Sequence, residues 1–92
     1  MIKSAITSNI SAINRVIRPG DVFKHYKGSI YRVNMIAKHT ETEENFVIYH
    51  DVTQPEQVWA RPVQMFNQYI TLNDRNELRF SKSEKPLNLV QE

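Results

Sequence analysis

At 92 residues the chain has room for one compact core and no second domain. Twelve Lys plus Arg against ten Asp plus Glu leave a net charge of +2, too balanced for the concentrated basic face of a dedicated DNA binder. The absence of cysteine excludes disulfides, thiolate nucleophiles and Cys-based zinc sites together.

Residues 1–18 carry isoleucine at positions 2, 6, 10, 13 and 17, with Ala5, Ala12 and Val16 on the same stripe. That spacing predicts an N-terminal amphipathic helix or arm, and its apolar face offers a contact for a homodimer. Ser, Thr and Asn interrupt the isoleucines, so the segment has neither the apolar run of a signal peptide nor the roughly twenty residues of a membrane span. No membrane association is expected, and a soluble cytoplasmic protein is the default. "RPGD" at Arg18 to Asp21 ends the segment, because Pro19 disfavours helix before it and Gly20 permits a turn.

From Asp21 the period becomes two. "DVFKHYK" predicts a strand, Lys27 to Ser29 a turn, and "IYRVNMIAKH" a second strand with Tyr31, Val33, Met35 and Ala37 on one face. "TETEEN" is a polar hairpin loop, and "FVIYHDV", apolar on both faces at its start, predicts a central strand. "QVWAR" continues the sheet after Pro55 and Glu56. "PVQMF" suits one helical turn, "NQYITL" a strand, "NDRN" a turn and "ELRF" a short last strand. Five to six short strands with tight turns predict a mainly β domain over 19–80, a small SH3-like barrel, followed by a flexible tail over 81–92.

The ordered blocks "HYKGSIYRV", "AKHTET", "VIYHDV" and "VWARPVQMF" resemble the signature of the bacterial domain of unknown function 1653 family. The resemblance covers about Arg18 to Phe80. It implies a small SH3-type β-barrel and no established activity.

Candidate chemistry lies in four places. His39 with Glu41 and Glu43, beside His25 and His50, supplies metal-ligand residue types but no tight ligand spacing, so no metal or other cofactor is implied. His39 with Glu41 or Glu44 could form an acid-base pair, yet no activated nucleophile accompanies it. Trp59 and Arg61 share a strand face, an aromatic surface beside a two-point carboxylate or phosphate donor; the alternative is a core tryptophan with Arg61 paired to Glu43, Glu44 or Asp51. Tyr26, Tyr31 and Tyr49 with Lys27 and Arg32 could stack bases, although Tyr31 shares the parity of the core. The expected ligand surface is His25, Tyr26, His39, Glu41, Tyr49, Trp59 and Arg61, taking a small anionic ligand or a protein partner. Single-stranded nucleic acid is the alternative, not indicated by charge, and a metal-assisted hydrolase is a more distant one.

Overall fold

The switch of period at Asp21 is where an antiparallel sheet begins. The computed structural model describes residues 12–83, which form seven strands and one short helix. β1 (Val22–His25), β2 (Ile30–Lys38), β3 (Asn45–Asp51) and β4 (Gln54–Pro62) run as a meander, followed by α1 (Val63–Phe66), β5 (Tyr69–Leu72), β6 (Arg75–Leu78) and β7 (Phe80–Lys82). β7 returns to β1, so the main sheet has the order β4-β3-β2-β1-β7, while β5 and β6 pair as a separate hairpin. The fold is mainly β. No described helix is long and apolar enough to cross a membrane.

The turns follow their residues. Gly28 takes φ +114 between β1 and β2, a conformation that only glycine adopts without strain. Asn73 and Asp74, both at positive φ, make the two-residue connection between β5 and β6. Pro62 caps α1 at φ −54, where a missing N–H costs nothing. "ELRF" is not one strand: its Glu and Leu belong to β6 and Phe80 to β7, with Arg79 crossing between the two sheets.

The predicted face of β2 holds only to its middle. Val33 lies opposite Tyr49, but Met35 lies opposite Ile48, so a bulge at this point shifts the register. Met35 and Ala37 therefore face outward with Ile48 and Phe46, and Ile36 takes the inward position opposite Val47. Met35 is 51% exposed as a result.

The inner face packs on an aromatic cluster. Phe23, Phe66 and Phe80 are fully buried, Phe66 and Phe80 stack at 4.0 Å, and Phe23 meets Phe66 edge-on at 5.0 Å. Tyr31 and Tyr49 add edge contacts to Phe80 at 5.8 and 5.7 Å. Pairs of this kind each contribute roughly 0.5–1.5 kcal/mol beyond their burial.

Of the two alternatives for the N-terminal segment, helix or arm, the described part is an arm. Ile2, Ile6 and Ile10 lie outside the described residues. Over 12–18 the chain is not helical: Ala12 bridges Gln68, and the Ile13 N–H donates to the Asn67 carbonyl at 2.9 Å. Ile17 is buried while Val16 is exposed, so the two no longer share a stripe. Arg15 ties the segment to the rest of the fold. Its Nε donates to Asn67 Oδ1 and its Nη2 to the Phe80 carbonyl, both at 2.8 Å, with the guanidinium 4.7 Å above the Phe23 ring. Those contacts favour a non-helical path in a segment whose β-branched, Ser- and Asn-rich composition already lowers helix propensity.

The bulge yields a direct test by urea unfolding. Ile36→Ala should lower stability by about 2 kcal/mol, because it opens the inner face. Met35→Ala should stay within about 0.5 kcal/mol, as for other surface changes. The opposite ranking would mean that β2 runs without the bulge.

Candidate functional site

Strand parity places Phe23 and His25 on the inner face of β1, and His25 lies directly opposite Phe80 of β7. The β3–β4 register sets Trp59 beside Tyr49 and Arg61 beside Val47 on that same face. Three strands separate β4 from β7 in the sheet order, yet the Arg61 guanidinium lies 5.8 Å from the Phe80 ring. The sheet is thus curled enough for the Arg61 side chain of β4 to reach the Phe80 ring of β7. There the Arg61 Nε donates to the Tyr49 hydroxyl at 3.3 Å, and the His25 ring stands 4.9 Å from Phe80 and 4.5 Å from Tyr26. Trp59 borders the group and is 51% exposed. Of the residues singled out in the sequence, His25, Tyr26, Tyr49, Trp59 and Arg61 are brought to one rim.

The electrostatics of that rim are one-sided. Burial pushes the His25 pKa below its usual 6.5, and repulsion from Arg79, Arg61 and Lys27 pushes it further down. Arg79 was not legible as a site residue, being a single basic side chain between two short apolar stretches. Its Nη2 donates to Gln68 Oε1 at 3.3 Å, and its buried Nε has no hydrogen-bond partner among the described residues. The ion pairs among the described residues are Arg75 with Glu77 and Lys82 with Asp21, so neither Arg61 nor Arg79 has a carboxylate there. Asp51, an expected partner of Arg61, instead accepts from the Thr53 hydroxyl and N–H at 2.6 and 2.8 Å, bonds that hold its pKa below the usual value.

Beside the rim, the β5–β6 hairpin and β1 border an open cleft of about 340 Å³, lined in part by Lys24, His25, Tyr26, Leu72 and the Arg75–Glu77 ion pair. Guanidinium donors, a phenol, a neutral imidazole and ring faces are a set that can hold an anion.

The other candidates lie elsewhere. His39 and Glu41 sit past the far end of β2, whose nine residues span about 30 Å from the His25 end. The His39 Nδ1 accepts from the Glu41 and Thr42 N–H groups at 3.0 and 3.2 Å, closing the loop as an aspartate does in an Asx turn. His50 pairs through Nδ1 with Asn34 Oδ1 at 2.6 Å on the outer face. The three histidines do not converge, and no group of three or more His, Asp or Glu among the described residues could hold a metal ion.

Two measurements follow from the histidines. His25 is held neutral in the fold, so between its depressed folded pKa and 6.5 the unfolded chain binds a proton that the folded chain does not. Stability should therefore fall as pH drops through that window and level off below it, and His25→Asn should remove this fall in melting curves taken from about pH 8 to about pH 5. At the other hairpin, His39→Ala should speed amide exchange at Glu41 and Thr42, and His39→Asn should restore protection by returning an acceptor. Unchanged exchange in His39→Ala would mean that the ring does not pin the loop.

No curated protein matches the chain, and no solved structure matches it. A family pattern does match, over residues 21–82, which takes in all seven strands and the rim. The chain belongs to the family described as protein of unknown function (DUF1653).

Proposed function

We propose that this protein is a non-enzymatic binding module, a small SH3-like barrel open at one rim, which takes an anionic group at Arg61, Arg79 and His25 against Phe80, Tyr49 and Trp59. The observation that carries the proposal is Arg61. Its guanidinium is half-buried, with a phenol and a ring face as partners and no carboxylate among the described residues. A charge in that position is costly unless something supplies the missing acceptors. The unpartnered Nε of Arg79 supports the same reading, as does the exposed face of Trp59, on which a flat ligand could rest. His39 and Glu41 stand outside this site and serve the hairpin.

The test is a melting curve in phosphate and in sulfate against chloride at equal ionic strength. A ligand of the folded state at about a hundred times its Kd stabilises by about 2.7 kcal/mol, a shift of many degrees at this chain length. The midpoint should rise in phosphate or sulfate, Arg61→Ala should abolish the rise, and Arg61→Lys should weaken it by removing the two-point fork. No rise, or one that persists in Arg61→Ala, would overturn the proposal. Binding of short oligonucleotides with a steep salt dependence would replace it with single-strand recognition.

A further inference from the structure

β4 is an edge. It pairs with β3 on one side, and among the described residues nothing pairs with its other side. From Val58 to Pro62 its register against β3 is unbroken, and Gln54 to Ala60 are all exposed, with Val58 and Trp59 each at 51%. Pro62 lies opposite Phe46 and has no N–H to give, which suits it to a position whose amide would point away from β3. Because the ladder alternates, the N–H groups of Ala60 and Val58 share that outward direction. The edge therefore offers backbone donors and acceptors beside an exposed tryptophan.

Edge strands are commonly guarded by lysines or prolines, and from Val58 to Arg61 β4 contains neither. What it has is an inward-pointing charge, Arg61, which makes indiscriminate pairing costly, since a strand added alongside would enclose the guanidinium further. That cost vanishes for a strand that brings a carboxylate to the position next to Arg61. Arg79 and Lys27, close enough to His25 to repel its proton, lie near the same rim and favour the same sign of charge.

Resting on the anion-binding reading above, we infer that the physiological ligand is an extended peptide segment of a partner protein that adds as a strand to the free edge of β4. It carries a carboxylate beside Arg61 and an apolar side chain, two residues away, beside Trp59. Main-chain bonds to Val58 and Ala60 supply affinity, and the two side chains on the inner face supply selectivity.

Trp59 is the single tryptophan of the chain, so its fluorescence reports occupancy of the edge directly. The probe is an acetylated, amidated hexapeptide VTETLT, whose Glu and Leu fall on one face and, in an antiparallel arrangement, lie opposite Arg61 and Trp59 in turn, titrated into the full-length protein. Binding should weaken by about tenfold or more when the peptide's Glu becomes Lys, the charge-assisted bond being replaced by repulsion. Methylation of the threonine amides should abolish binding, because those groups face β4 in an antiparallel arrangement. On the protein side, Ala60→Pro should block the peptide while leaving the phosphate-induced rise in melting midpoint intact; should that variant fail to fold, the methylated peptide tests the ladder on the unaltered protein. Silence toward VTETLT with a surviving phosphate effect overturns the strand-addition inference and leaves the anion site. Silence toward both overturns both. Equal binding of the methylated peptide or of the lysine peptide also overturns the inference, by removing the ladder or the charge from it.

Discussion

The stack of Phe66 on Phe80, 4.0 Å apart and parallel to within 3°, is the contact on which the remaining architecture depends. Phe66 is the last residue of a four-residue helix and Phe80 the first of a three-residue strand, and neither element would persist alone. Held against each other, they fix β7 beside β1 and α1 beneath the sheet. Phe80 then presents its edge and remaining surface to Tyr31, Tyr49, His25 and Arg61. Core and candidate site are thus two sides of one ring. A small domain with few residues to bury gains from this economy, because each aromatic serves several neighbours.

The same ring explains why the sheet curls. Strand twist alone would leave β4 and β7 splayed at opposite margins of a five-stranded sheet. The bulge between Val33 and Met35 increases the twist in β2, and Tyr49 and Arg61 close on Phe80 from the other side. Curling has a cost in pairing: β4 keeps one bare margin among the described residues, and the outer face retains exposed apolar side chains such as Met35 and Val58.

What could be read from the residues was whatever a local rule governs. The period of two located the strands, Gly28 and Asn73-Asp74 located turns, and Pro62 located the helical turn. The two-residue spacing of Trp59 and Arg61 also held, since a strand without a bulge between them keeps parity. What escaped depended on partners distant in sequence. A bulge at Asn34 leaves no mark in composition, so parity alone puts Met35 on the wrong face. "ELRF" reads as one strand because nothing local tells its two ends that they belong to different sheets. Arg15 and Arg79 looked like ordinary surface charges, for their partners lie 52 and 11 residues away. His39 had the residue type of a site and the neighbours of one, yet its ring is occupied by the loop that follows it.

The two half-buried arginines at positions 15 and 61 separate structure from function more sharply than any sequence pattern does. Each lies near the ring of a core phenylalanine, Arg15 at 4.7 Å from Phe23 and Arg61 at 5.8 Å from Phe80. Burial lowers the pKa of Arg15, and the fold answers with an amide oxygen and a backbone carbonyl, each at 2.8 Å. Such strong neutral acceptors tie a charge into a structure and leave little reason for it to seek another. Among the described residues Arg61 has received a phenol at 3.3 Å, a longer bond to a weaker acceptor. If folding were the sole demand on this residue, a neutral side chain of similar volume would serve without the desolvation penalty. A guanidinium under-satisfied among the described residues, at an open rim beside Arg79 and an exposed tryptophan, fits the proposal that its acceptor arrives from outside.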